Sequence, residues 1–437
     1  MVWGLALFAV EKTLIHIETP FFFLIAYLLA ITVQAQTPSS LSTYLPAETS
    51  VKETLLSSPL MEMARSKKEF GTARAQMIDA GSAEFTLRSN LQRRQDVLLG
   101  QQLHESMLSV ERPIRFWGKR KIDADLSMQT QAFANIEYAD AMHEGARELM
   151  HFWFSYLRAL ADKKNAESSF ELTAKMHRLT QIQFKQGEIS QLDEQLANAE
   201  FERVSAQRFV AEGQLQSASS AFASRYPGVT LPTSMPFDLL THERMNSLSI
   251  SEPLQAMREE FLEKNHELNM LRIDAKRLRL SAERVSKDRL PDPTLGVFTA
   301  RERSGAEKIS GLLFSVPLPG SAREFHANAS LAEAQSASDK VRLFERQLGA
   351  MFENMWFQFQ NKKKAAENLR LAWQRQGVAA EKSLKAYTLG EGTLSQVLMI
   401  SRLASENLNS AEHMSLEVVE LLSLIRLDLH QIWDFDE

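Results

Sequence analysis

RELMHFWFSYLRALAD, residues 147–162, returns in reduced form as ENMWFQFQ, residues 353–360. In the first copy Leu149, Phe152, Trp153, Tyr156, Leu157 and Leu160 fall on one face of an α-helix, with His151, Ser155, Arg158 and Asp162 behind them. Working outward, Lys119 to Gly187 contains no proline and one internal glycine, Gly145. A helix of that length reaches about 100 Å at ~1.5 Å per residue, too deep for a compact domain. The match also extends beyond the aromatic patch. Arg120 corresponds to Arg323, Trp153-Phe154 to Trp356-Phe357, Tyr156 to Phe359 and Gly187-Glu188 to Gly390-Glu391, each pair 203 positions apart. Pro113-Ile114 and Pro317-Leu318 lie 204 apart, a slip of one residue in a loop. Anchors in register over such a distance indicate a duplicated structural unit.

Each copy has the same plan. Before the first long helix, a helical stretch of about Val51 to Met77 closes near Gly81. Phe85, Leu87, Ser89 and Leu91 then alternate with Thr86, Arg88 and Asn90, a strand period. A polar connector around 92–102 leads to a second alternating run with Leu108 and Val110 on one side and Met107 and Ser109 on the other. In the second copy a helix of about Glu252 to Arg289 stops at Pro291-Asp292-Pro293. Leu295, Val297 and Thr299 alternate there, then Leu312, Phe314, Val316 and Leu318. The strands are expected at 83–91, 103–112, 294–301 and 309–318. The helices turn near Gly187 and Gly390, and a Pro-rich connector at 226–236 separates a first repeat, 36–235, from a second, 236–437. The fold class is mostly α with a small β part.

Composition narrows the function. Fifty Lys+Arg against 55 Asp+Glu give −5, which lacks the basic balance of a nucleic-acid binder. With no cysteine there is no disulfide framework or thiolate metal site. Phe21 to Val33 is an uncharged apolar block too short to span a bilayer as a helix, followed by Val33-Gln34-Ala35. It fits a signal peptide over 1–35, although Glu11, Lys12 and Glu18 make a poor amino-terminal region; a start downstream of Met1 or an uncleaved anchor are the alternatives.

Four strands cannot close a barrel, and open edges in lipid leave unpaired backbone groups costing several kcal/mol each. Eight strands is about the smallest closed barrel, so several chains must contribute. The long polar helices belong in water. Strands in lipid and helices in periplasm indicate a Gram-negative outer membrane.

At this point the residues resemble a known family, the TolC-like outer-membrane efflux channels. The resemblance runs from about residue 50 to the C-terminus. It rests on Leu290-Pro291-Asp292-Pro293 before a strand, Phe314-Ser315-Val316-Pro317-Leu318 closing one, and two tips. Those tips are Gly187 with Asp193, and Tyr387-Thr388-Leu389-Gly390 with Gln396-Val397-Leu398. Val110 to Pro113 followed by Trp117-Gly118-Lys119-Arg120 is most similar to the heavy-metal (cobalt–zinc–cadmium type) branch. The resemblance implies a homotrimer with a twelve-stranded β-barrel and an α-helical tunnel. It further implies a periplasmic membrane-fusion adaptor and an inner-membrane RND-type pump as partners, with heavy-metal cations as cargo and no cofactor. The gate or tip candidates it gives are Gly187, Glu188, Asp193, Tyr387, Gly390, Gly392 and Gln396. Three copies of Asp193 would ring the narrowing and favour cations. Some relatives carry an arginine where this chain has Gly392, so their Tyr–Asp–Arg lock is absent or built differently.

Weighed against these roles, Glu188, Asp193 and Glu194 also suit a solvated helix start, and Tyr387 can simply pack in its hairpin. Met142-His143, Met150-His151, Met176-His177 and His413-Met414 read as packing plus surface, although His143 and His151 share a helix face. His104, His143, His242 and His266 each precede a glutamate without completing a zinc-protease spacing, and there is no phosphate loop or nucleophile elbow, so no enzyme is expected. The rival readings are a periplasmic helical-hairpin adaptor or scaffold, and an exit duct for drugs or organic compounds.

Overall fold

The computed structural model describes residues 41, 43–81, 83–235, 240–241 and 246–435. The chain divides into two compact units, Met1–Ser42 and Thr43–Glu437. The first is described only at Leu41, so the expected signal at 1–35 lies outside the described residues. Both expected repeats, 36–235 and 236–437, contribute to the second unit, which is mostly helical with one small sheet.

The elements are α1 Glu48–Leu56, α2 Pro59–Ala80, β1 Thr86–Asp96, β2 Gln101–Pro113, α3 Lys119–Lys185, α4 Gln191–Arg225, α5 Leu254–Lys264, α6 His266–Lys287, β3 Thr294–Glu302, β4 Glu307–Ser315, α7 Ser321–Thr388 and α8 Leu394–Asp428. The long helices of the two halves match in length to within a residue: α3 and α7 have 67 and 68 residues, α4 and α8 35 each. Two helices expected to be continuous are each broken. Between α1 and α2, Ser58 accepts the Met61 amide and Pro59 takes the first turn, where its missing N–H costs nothing. Between α5 and α6, Asn265 in extended conformation caps Leu268 N at 2.8 Å. The final helix stops at Asp428, short of the expected Trp433.

Within the unit α3 runs back along α4 and α7 along α8, while α3 also meets α2, α6 and α8. With neighbours on several sides, α3 buries more than the one face read from sequence. Met150 and Phe154 are fully buried alongside Leu149 and Leu157. Trp153 Nε1 donates to Tyr44 O at 2.9 Å, and the Tyr156 hydroxyl to Pro232 O at 2.7 Å. The matching residues of α7 fare differently: Phe359 is buried, but Phe357 is 52% exposed. The duplication therefore preserves backbone length and not environment.

A charged junction ties the sheet to the helices. Lys119, completely buried, directs Nζ to Asp288 at 2.9 Å, Asp292 at 2.9 Å and the Leu290 carbonyl at 2.8 Å. The Phe116 amide donates to the same Asp292 carboxylate at 3.2 Å. Beside it, Asp123 takes Arg115 at 3.0 Å and Arg284 at 2.7 Å, and Arg284 also pairs with Asp288. The end of one hairpin is thus locked to the start of the other.

A second link, between α3 and α8, is a histidine–carboxylate pair. His413 lies 2.7 Å from Asp162, whose hydrogen bond raises the imidazole above its ordinary value of 6.5. A raised histidine adds stability below about pH 6.5 and loses it as pH rises through the folded-state value. Asp162→Asn is expected to lower the melting temperature of the purified protein more at pH 6 than at pH 8.5. A pH-independent difference would show that the pair contributes no charge.

Candidate functional site: the hairpin tips and the strand face

The tips are made by the same backbone device twice. After α3, Gly187 takes φ +76°, donating to Phe184 O at 2.9 Å while Glu188 N reaches Gln183 O at 2.9 Å. After α7, Gly390 takes φ +79°, donating to Tyr387 O at 3.0 Å while Glu391 N reaches Ala386 O at 2.9 Å. Both are Schellman caps, in which glycine occupies the left-handed position without a side-chain penalty. The next helices start alike. Ser190 accepts Asp193 N at 3.2 Å and Asp193 returns a carboxylate to Ser190, while Thr393 accepts Gln396 N at 3.4 Å. Asp193 and Gln396 hold the same third position of their helices, but only Asp193 completes a capping box.

The two tips meet through Tyr387. Its hydroxyl donates to Gln183 Oε1 at 2.9 Å, and burial, followed by the nearby Asp193 charge, pushes the phenol up from its ordinary value. Beneath it Met176, Ala197, Leu394 and Val397 form a buried cluster, with Leu384, Tyr387 and Leu398 packed against it. Gly392 lies against this residue: a Cβ there would stand 3.4 Å from Tyr387 N. Glu188, Gly187, Gly390 and Gln396 are exposed, and Asp193, Tyr387 and Gly392 are half-buried. Sequence reasoning missed Gln183; it is one residue before the position that corresponds to Tyr387, so the repeat pointed at the right turn of helix.

The strands form one antiparallel sheet in the order β1-β2-β3-β4, leaving β1 and β4 as edges. Their 11, 13, 9 and 9 residues are about what a tilted bilayer-crossing strand needs, ~9–11. Register sorts the faces. Leu87, Val110, Val297 and Leu312 are cross-strand partners in one row, and Leu295 with Phe314 lies in the next row on the same face. All six are exposed, Leu312 at 84%. On the same face Arg93, His104, Arg301 and Lys308 gather toward the hairpin turns, and exposed Phe85, Phe116 and Trp117 stand near the helical end. The reverse face of the first hairpin is polar: Arg88 pairs with Glu111 at 2.8 Å and Gln92 with Glu105 at 2.7 Å. The second hairpin's reverse face carries Phe298, Ala300 and Ile309. Arg88 and Glu105 thus share the polar face, while His104 lies on the other.

The methionine–histidine pairs are mostly packing. Met142, Met150 and Met176 are buried, and His177 bonds Asn198 at 2.7 Å. His151 turns outward to Glu420 at 3.4 Å and does not join His143.

No family model matches the chain, and no curated protein matches it. Solved structures do. The outer membrane protein VceC from Vibrio cholerae is 17% identical, with a TM-score of 0.70 over 88% of this chain and 95% of that one. The outer-membrane channel OprN is 16% identical, TM-score 0.74, over 90% and 91%. CusC, whose crystal structures follow folding and transmembrane channel formation, is 13% identical, TM-score 0.68, over 88% and 91%. At these identities the likeness is one of fold: the chain has the architecture of these outer-membrane channels.

Proposed function

We propose that this chain is one third of an outer-membrane exit duct. Three copies close a twelve-stranded barrel and extend an α-helical tunnel into the periplasm. There the tips meet a membrane-fusion adaptor and, through it, an inner-membrane RND-type pump. The observation that carries this reading is the open sheet, exposed and apolar on one face, with its two edges unpaired among the described residues. Joining β4 of one copy to β1 of the next removes every edge and turns the apolar face to lipid. Basic side chains then lie at headgroup level on one rim, and Phe85, Phe116 and Trp117 form an aromatic girdle on the other. The helices also await neighbours: Phe325, Leu331, Leu343, Phe357 and Val378 of α7, and Leu192, Phe209 and Val210 of α4, are exposed. The adaptor or scaffold reading accounts for the hairpins and leaves the sheet without a purpose. Heavy-metal cations as cargo, in preference to drugs, rest on Trp117-Gly118-Lys119-Arg120 and its resemblance to the metal-efflux branch.

Purified in detergent, the mature protein is expected to have trimeric mass and to conduct ions in planar bilayers. A water-soluble monomer without conductance would sink the proposal. A deletion strain challenged with zinc, cobalt, cadmium, dyes and antibiotics assigns the cargo. The gate role of the tips is tested by Tyr387→Phe, which keeps the ring and removes the hydroxyl bonded to Gln183. One such bond contributes about 1 kcal/mol, a factor of about five in a two-state equilibrium. Conductance at rest should rise by about that factor; unchanged conductance would leave Tyr387 a packing residue.

A further inference from the structure

Three histidines far apart in sequence converge at the other end of α8 from its tip. His143 comes from the middle of α3, His266 opens α6, and His430 follows α8. Each offers a ring nitrogen, and these atoms all lie within 4.8 Å of one another. The rings are packed together, His143 stacked on His430 with centroids 5.4 Å apart and His266 tilted against His430 at 4.9 Å. We propose that His143, His266 and His430 bind one divalent transition cation of the imidazole-preferring kind, such as zinc.

The surroundings fit such an ion. Two carboxylates flank the rings: Asp428 lies 3.3 Å from His143 Nε2, and Asp434 lies 3.4 Å from His430 Nδ1. Carboxylates in this position fix the tautomer and orientation of a metal-bound imidazole. Asp428 is almost fully buried, pairs through Oδ1 with His143 and Arg147, and leaves Oδ2 without a hydrogen-bond partner among the described residues. Three histidines leave a fourth position for water or one of these carboxylates. At ~2.0–2.1 Å from zinc, tetrahedral ligand nitrogens stand about 3.3 Å apart, so the rings must close inward by rotation.

The backbone at His430 supports the same reading. α8 ends in a Schellman cap like those at the tips, with Gln431 N bonded to Arg426 O at 2.8 Å and His430 N to Leu427 O at 2.9 Å. The left-handed position is glycine at both tips, whereas here histidine holds it at φ +55°. Glycine would fit at less cost and would contribute no ligand. Bound metal would clip together α3, α6 and the segment after α8, independently of cargo passage.

The test uses full-length protein in detergent, carrying no polyhistidine tag, stripped with chelator and titrated with Zn2+. One zinc per protomer is expected by calorimetry and elemental analysis, with a rise in melting temperature; Co2+ should give the visible absorption of a tetrahedral site. His430→Gly removes a ligand while relieving the left-handed strain, so it should fold at least as well without metal and lose both zinc and the shift. Asp428→Asn should weaken binding by about 10–100-fold, and His151→Asn should bind as the parent does. Equal zinc binding by parent and His430→Gly overturns the proposal, as does absence of binding by the parent. Because the readout is metal binding, it stands or falls separately from conductance and trimeric mass.

Discussion

Leu312→Arg is expected to stop the protein from reaching the outer membrane as a trimer. Leu312 is the most exposed residue of the apolar row it shares with Leu87, Val110 and Val297, and it lies on an edge strand, which in the proposed trimer pairs with the next copy. An arginine at mid-bilayer on a barrel's lipid face costs about 2–4 kcal/mol. Closure of a trimer incurs that cost three times over. Heat-modifiable trimer on gels and surface labelling of intact cells are the measurements. Asn90→Arg, on the opposite face beside Arg88–Glu111, is the control and should assemble. Normal assembly of Leu312→Arg would mean that this face does not meet lipid, and the barrel would have to be abandoned.

Lys119→Met should strongly destabilise the helical part. It keeps the aliphatic bulk and removes the cation that Asp288, Asp292 and the Leu290 carbonyl share. Removing one partner of a buried charge pair costs about 3–5 kcal/mol, because the remaining charges are left uncompensated. Asp288 and Asp292 keep some solvent contact, at 39% and 21%, which places the expected loss near the lower end. Denaturation of the detergent-solubilised protein, followed by circular dichroism, measures it. Asp292→Asn should cost less, since Lys119 retains Asp288 and the carbonyl. Equal losses would show that the junction depends on Asp292 alone.

The duplication was legible because its anchors are chemically distinctive and the long helices admit no insertion between them. The alternating strands were legible only where their two faces differ. β1 continues to Asp96, past the expected end at 91, through Gln92-Arg93-Arg94-Gln95, which is polar on both faces and carries no period of two. Its pairing with Gln101–Glu105 supplies what the residue pattern lacks. Similarly, β4 stops at Ser315, before Val316 and Leu318, because Pro317 cannot donate to a ladder. At the tips the glycines announced the turn, but the Tyr387–Gln183 bond joins two hairpins and no local pattern encodes it. Trp117-Gly118-Lys119-Arg120 and Leu290-Pro291-Asp292-Pro293 stood out separately; that one grips the other required the fold. The histidine cluster lies furthest from sequence reasoning, since His143 lies within α3, His266 opens α6 and His430 follows α8, and no local pattern links the three.

The matched lengths of the two hairpins, 67 and 35 residues against 68 and 35, also restrict how such a molecule can grow or shrink. A seven-residue insertion in α3 alone would push its turn about 10 Å past its twin and separate Gln183 from Tyr387. To keep the turns level, both descending helices and both ascending ones must change together. Lengthening these hairpins is therefore a four-site event, and a lineage that altered their reach would carry the added turns at corresponding places in every limb.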